Sequence, residues 1–384
     1  MRYRRHLEEP GAVFDAPPLR EHVMTRRKRS SHPVPLLVAG LCLLLSTRVS
    51  AQARRAPPTG WAWRAVTSAS AALRMLIIYD MEGLSGVDRL GMTKCSDAAA
   101  YAAGQDRLVA DVNAVVEGLT RGGVASIDVI DRHGSGCDAA PDLPKTRLDR
   151  RARELDERAR SLFDRVTQHE WDAVALVGAH ASPGHAGFLE HVGSFGIERI
   201  INGVSVSESE QQALLFGGQG IPVIFASGDD RYAAQMRDRM PWIMIVEVKR
   251  ATSRTSAELR PATDVRAELI AQAKAAVAGR DRAMTIAVVP PLTGAYRPVW
   301  PNSLDLLTAI PGLDVSSGEI RVSGANLRGV NEAINRVATL VNSIQTADAY
   351  WEAVKDDEAR DRFRDSLFMA RWSVGPAVRK PPPR

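Results

Sequence analysis

The stretch LIIYDMEG, residues 76–83, runs an apolar segment suited to a buried strand directly into two carboxylates and a glycine. The same event recurs along the chain. IDVIDRHG ends in Asp131 and His133, VALVGAH ends in His180, and IPVIFASGDD ends in Asp229 and Asp230. WIMIVEVKR is a further apolar run of strand length. Short apolar runs bounded by turn residues predict buried strands. Segments with helical spacing lie between them: AAAYAAGQDRLVADVNAVVEGLTRGG, which ends in a Gly pair suited to a C-cap, LDRRARELDERARSLFDRV, and SESEQQALLFGGQG. Strand and helix alternate, which predicts an α/β fold with a mostly parallel sheet flanked by helices.

The texture changes near Arg282, where RAMTIAVVPPL, SGEIRVSGA and LRGVNEAINRVATLVNSI predict a smaller α+β region. The expected organisation is a leader over 1–53, a linker over 54–74, and a metal-binding α/β domain over 75–281. The smaller domain follows over 282–345, then a charged helical tail over 346–384 whose end is disordered. The leader itself has the layout of a secretory signal peptide. A cationic cluster follows Met24, an apolar run spans Val34–Leu45, and small residues surround Ala51 and Ala53. Such a leader implies export to the periplasm or the medium, whereas translation starting at Met75 implies a cytoplasmic protein. After cleavage Cys95 and Cys137 remain, two thiols that could pair in an oxidising compartment.

The net charge of +5 is concentrated before Met75 and in the last residues, so it does not describe a nucleic-acid footprint. No apolar run is long enough for a membrane-spanning helix.

The strand ends carry the functional signal. In an open parallel sheet the carboxyl ends of the strands share one edge, and ligands bind in the crevice there. Asp and His are costly in a buried strand unless paired, and a metal ion that takes carboxylate oxygen and imidazole nitrogen removes the penalty. Asp80 and Glu82 stand at i and i+2 of extended chain, so both side chains fall on one side. Gly83 lets the backbone turn beside them. Each residue has a plainer reading: Asp80 and Glu82 as loop carboxylates or helix caps, His133 as a surface residue, His180 as a structural histidine, Asp229 and Asp230 as turn formers. One shared site explains them together. His169, His185 and Cys137 receive no role.

Taken in order, YDMEGLSG, IDRHG, LVGAHA, EHVGSFGI, INGVSVSESEQQA, IPVIFASGDDR and VEVKRATSRTSAE resemble the DppA-type D-aminopeptidases, peptidase family M55. The resemblance runs from about Met75 to about Ile344. It implies two zinc ions per chain, held by Asp80, Glu82, His133, His180 and Glu208, with Glu210 a near neighbour in register. Asp80 would bridge the metals, and a metal-bound hydroxide would attack the peptide bond. His191 is the implied catalytic histidine, as proton shuttle or oxyanion stabiliser. Asp131 and Asp229 are candidates for orienting the histidines. The implied activity is release of N-terminal D-amino acids from short peptides such as D-Ala-D-Ala, by a homo-oligomer as large as a decamer, with active sites facing an internal chamber. Ile78 stands where the family usually has Ser, and the leader and tail lack counterparts. The rival readings are a binuclear hydrolase of another small amide or ester, and a non-catalytic relic.

Overall fold

A computed structural model describes residues 56–66, 72–137, 140–156, 161–193, 197–298, 304–308, 313–353 and 358–362. The expected signal peptide and the end of the tail lie outside these residues. In chain order the first half contains β1 (Trp61–Ala65), β2 (Arg74–Tyr79), α1 (Ala98–Arg121), β3 (Ser126–Asp131), β4 (Ala152–Glu154), α2 (Leu162–Thr167) and β5 (Ala173–Ala179). Next come β6 (Ile197–Ile201), β7 (Val204–Ser205), α3 (Glu208–Gly217), β8 (Val223–Asp229), α4 (Asp230–Arg239), β9 (Met244–Ser253), β10 (Ser256–Leu259) and α5 (Ala262–Gly279). The chain continues through β11 (Met284–Val288), β12 (Thr293–Pro298), α6 (Leu304–Leu307), β13 (Asp314–Ser316), β14 (Glu319–Ser323) and α7 (Leu327–Ala353).

The main sheet has seven strands in the order β10-β9-β8-β5-β2-β3-β4. Its pairs are parallel except β9 with β10. The chain starts in the middle at β2, builds outward through β3 and β4, then returns to β5 and builds the other way. The strand order therefore reverses between β2 and β5, and a crevice opens beyond their carboxyl ends. Asp80 follows β2 and His180 follows β5, so the fold delivers both to that crevice.

Central parallel strands are covered on both faces and read as continuous apolar runs. β2 shows the consequence residue by residue. Met75, Ile77 and Tyr79 enter one core cluster with residues of α1 and α5, whereas Leu76 and Ile78 enter a second cluster with residues of α3 and α4. This is the two-residue period of a strand placed between two helical layers. The helices α1 and α5 approach closely at Gly118, where an added Cβ would stand 2.4 Å from the Ile270 carbonyl oxygen and 2.7 Å from Ala273 Cβ.

A second, antiparallel sheet has the order β13-β14-β12-β6-β7. Its own core joins Ile197, Tyr296 and Ile320 to Val330, Ile334, Val337 and Val341 of α7. The 282–345 region supplies three of its strands, and residues 197–205 supply β6 and β7.

Two expectations are corrected. LDRRARELDERARSLFDRV is not one helix. Residues 152–154 form β4, which adds to the edge of the main sheet beside β3, with Arg153 Nε 2.9 Å from Asp128 Oδ1, and the helix α2 starts only at Leu162. Tertiary edge pairing overrides a charged segment with good helix propensity. Within the expected linker, residues 61–65 form β1 against β11. Trp61 is buried and donates from Nε1 to the Ile201 carbonyl oxygen at 3.2 Å, and Trp63 meets Trp242 edge-on at 5.6 Å. Those two indoles anchor a segment whose Ala, Arg and Pro content suggests no structure.

The close approach at Gly118 is testable. Gly118→Val should destabilise the protein by about 1–3 kcal/mol through overpacking, read from denaturant unfolding, with metal content unchanged. Unaltered stability would show that the two helices can separate freely.

Candidate metal centre

Two groups of three ligand-type side chains meet at the crevice: Asp80, Glu82 and His133, and His180, His191 and Glu208. Within each group the candidate ligand atoms all lie within 4.8 Å of one another. β2 delivers Asp80 and Glu82, the turn after β3 delivers His133, and β5 delivers His180. His191 comes from the loop between β5 and β6, and Glu208 is the first residue of α3. The groups touch each other, because His180 Nε2 lies 3.3 Å from Asp80 Oδ2. His133 Nε2 lies 3.3 Å from Glu82 Oε1, and the His180 and His191 rings stack with centroids 4.1 Å apart.

The residues fit a metal centre on three counts. First, each histidine engages an acceptor through Nδ1: His133 with Asp142 Oδ2 at 3.1 Å, His180 with the Ala181 carbonyl at 3.1 Å, and His191 with the Leu189 carbonyl at 2.8 Å. An acceptor on Nδ1 places the proton there and leaves the Nε2 lone pair for a cation. Second, Glu82 Oε2 is buried with no hydrogen-bond partner, a costly state that coordination relieves. Third, Asp80, Glu82, Asp142 and Glu208 concentrate negative charge in a largely buried volume. With no cation, histidine protons must balance it. Burial disfavours a charged His133, yet Glu82, Asp142 and Asp80 raise its pKa to about 12. His180 is likewise raised to about 10 against the cost of burial, chiefly by Asp80. Burial would raise the Glu82 carboxyl, but His133 and His180 hold it well below the usual carboxylate range.

The turns that present the ligands are fixed by neighbours. Gly83 N–H donates to the Gly178 carbonyl at 2.7 Å, and an added Cβ at Gly83 would stand 1.9 Å from the Ala179 oxygen. Only glycine allows the chain after Glu82 to lie against β5. Buried Lys249, on β9, donates from Nζ to the carbonyl oxygens of Glu82, Leu84 and Val87. Asp111 on α1 accepts from the Ser85 N–H at 2.7 Å. The His191 loop is held by Glu190, which accepts from Gly187 and Gly184 and pairs with Arg254 at 3.0 Å.

Asp131 and Asp229 do not face a histidine ring. Asp131 accepts from the backbone N–H groups of His133 and Gly134, and Asp229 caps α4 and accepts from Phe188 N–H at 2.7 Å. Asp142 orients His133 instead, itself accepting from Tyr101. Its only sequence signal was a carboxylate nine residues beyond His133. Lys249 could have been suspected from MIVEVKRATS, where it stands at a buried position of a strand. Glu210 lies away from both ligand groups, in a capping box with Ser207, and pairs with Arg239 at 2.9 Å. His185 contacts Ser182, and His169 ends α2 with a positive φ. Cys95 and Cys137 are free thiols.

A cavity of ≈ 350 Å³ opens onto the centre, lined by Asp80, His133, His191 and Glu208 together with Arg199 and Asn335. A larger cleft of ≈ 890 Å³ lies between the second sheet and α7 and contains none of the candidate ligands. Among the described residues no helix is long and apolar enough to cross a membrane.

The chain's relatives agree with this architecture. Residues 73–335 match the Peptidase_M55 family, described as D-aminopeptidase, and the chain belongs to that family. It is 28% identical over 155 residues to the D-aminopeptidase of Bacillus subtilis (strain 168), a match spanning 38% of this chain and 54% of that protein. The aligned segment thus covers about half of the relative's length. A solved structure, the Zn-dependent D-aminopeptidase DppA from Bacillus subtilis, a self-compartmentalizing protease, superposes with a TM-score of 0.60 at 19% identity. The overlap covers 70% of this chain and 97% of that one, and it shows a shared α/β fold.

Metal uptake should be coupled to protons. The metal-free centre holds protons on His133 and His180 with pKa values of about 12 and about 10, so zinc binding near neutral pH must expel them. Proton release should appear in calorimetry across buffers of different ionisation heat, with affinity rising as pH rises. Proton-neutral uptake would contradict this account. Asp142→Asn should weaken zinc binding by about 10–100-fold while the fold persists.

Proposed function

We propose that this protein is a zinc-dependent aminopeptidase that releases N-terminal D-amino acids from short peptides, D-Ala-D-Ala among them. The observation that carries the reading is the pair of adjoining ligand groups at the mouth of one small cavity. Membership of the D-aminopeptidase family and the likeness to a Zn-dependent enzyme support zinc, and the two groups support two ions per chain. Zinc bound there would polarise a scissile carbonyl and lower the pKa of water toward neutrality.

The residues then divide the work. Asp80 belongs to one ligand group and lies 3.3 Å from His180 of the other, which supports it as the carboxylate that would be shared by both groups. Glu82 and His133 complete one set, and His180 and Glu208 the other. His191 lines the open cavity, so it is within reach of a substrate. Its Nδ1 lies 2.8 Å from the Leu189 carbonyl oxygen, which orients the ring, and in this reading His191 acts on the proton of the leaving amine or on developing negative charge rather than as a metal ligand. The cavity is at the small end of ligand pockets, which favours di- and tripeptides over folded chains.

The likeness to a self-compartmentalizing protease supports a homo-oligomer for this chain as well. The leader's charge and hydropathy pattern supports export, where cell-wall peptides bearing D-amino acids would be the substrates.

The test is hydrolysis of D-Ala-D-Ala and L-Ala-L-Ala by chelated protein before and after zinc is restored. Zinc-dependent cleavage restricted to the D-peptide is expected. His180→Ala should abolish it and lower bound zinc, with secondary structure retained. Cleavage of neither peptide by protein carrying two zinc ions per chain would overturn the reading.

A further inference from the structure

Arg199 lines the same cavity as the candidate ligands but belongs to β6 of the second sheet. It is half-buried, and its Nη1 donates to Gln211 Oε1 at 3.1 Å and to Asn335 Oδ1 at 2.8 Å. Both acceptors are neutral amides, which orient a guanidinium without neutralising it. Its Nε is buried and has no hydrogen-bond partner. Its Nη2 lies against Gly193, where an added Cβ would stand 3.0 Å from it.

Several other partly buried arginines have carboxylates, although Arg107 and Arg266 also have a buried Nε with no hydrogen-bond partner. Arg165 pairs with Glu170 at 3.1 Å, Arg239 with Glu210 at 2.9 Å, and Arg74 with Asp172 at 3.0 Å. Arg199 has no carboxylate within ion-pair distance among the described residues. Burial accordingly pushes its guanidinium below the usual arginine range, with Glu208 giving partial compensation. Glu208 is already engaged with the His180 and His191 group, where a metal would take up its charge. A positive group withdrawn from water with no counterion is costly unless an anion arrives. Arginine's planar donors suit a carboxylate in particular.

We infer that Arg199 binds the C-terminal carboxylate of the substrate, so that the enzyme selects very short peptides whose free carboxylate lies close beyond the scissile bond. This rests on the aminopeptidase reading and adds the substrate's far end to it. With the amino-terminal residue at the metal centre, a small cavity with Arg199 in its wall measures the peptide from both ends. Gln211 and Asn335 fix the guanidinium in advance, so little side-chain entropy is lost on binding.

The experiment compares D-Ala-D-Ala with its C-terminal amide in the zinc-loaded wild type, Arg199→Gln and Arg199→Lys. The wild type should favour the acid by about 10–100-fold in kcat/KM, the value of a hydrogen-bonded charge pair. In Arg199→Gln that preference should fall to near unity, mostly through KM, with zinc content unchanged. Arg199→Lys, which keeps the charge and loses the fork, should retain part of it. Equal cleavage of acid and amide by the wild type overturns the inference and leaves the aminopeptidase reading intact; this arm requires no variant to fold. A preference that survives in Arg199→Gln also overturns it. If neither compound is cleaved, the aminopeptidase reading falls, and calorimetric binding of the same two compounds decides the Arg199 assignment. Tighter binding of the acid, lost in Arg199→Gln, supports it; equal or absent binding refutes it.

Discussion

Glu82 and His133 face each other across 3.3 Å at the buried end of the sheet, and Asp80 and His180 do the same beside them. Holding four ionisable groups out of water is costly, and much of the surrounding structure answers it. The strand order reverses at β2 and β5, so the two pairs sit in a crevice the topology creates rather than in a hole cut through a packed core. Glycines at 83 and 178 bring the β2 and β5 ends into contact, since either Cβ would collide with a facing carbonyl oxygen. Lys249 binds three carbonyl oxygens of the turn after β2, although burial lowers its own pKa to about 7. A buried ammonium is destabilising in itself, but here it replaces the water that a tight turn of unpaired carbonyls would otherwise need.

Much of this was legible in the sequence because it is local. Apolar runs ending in Asp, Glu or His identify both a parallel strand and the polar residues at its end, so Asp80, Glu82, His133 and His180 were picked out by pattern, along with Asp131, Asp229 and Asp230, which join neither ligand group. Glu208 and His191 did not, and came only with the resemblance. Glu208 opens a helix, where an acidic residue is ordinary, and His191 sits in a loop shaped by its neighbour Glu190 and by Asp229 and Arg254, which are remote in sequence. Asp142 was invisible for the same reason: its contact with His133 depends on the path of an irregular loop. The failed helix over LDRRARELDERARSLFDRV shows the opposite limit. Its local propensity was read correctly, and edge pairing with β3 outweighed it.

The two sheets divide recognition between them. The parallel sheet and its turns hold most of the candidate ligands, whereas the antiparallel sheet and α7 supply Arg199 and Asn335 to the wall of the cavity. On the proposed reading, metal affinity and the choice of substrate length would therefore rest largely on different scaffolds. A change in β6 or α7 can alter the wall without moving Asp80 or His180, whose positions are fixed by β2 and β5.

The helix α3 joins the two functions. Glu208, Gln211, Gln212 and Leu215 all line the cavity and stand at i, i+3, i+4 and i+7, which is one face of a helix. The neighbouring stripe, with Ser209, Ala213 and Phe216, is buried, and Ser209 hydrogen-bonds Tyr232 at 2.8 Å. The capping box of Ser207 and Glu210 fixes where the helix begins, and so fixes Glu208 in its first turn, where the helix dipole favours a carboxylate. One turn further along, the same face offers Gln211 to Arg199. The spacing from Glu208 to the Gln211 that holds Arg199 is thus set by helical pitch, a dimension the protein cannot easily stretch.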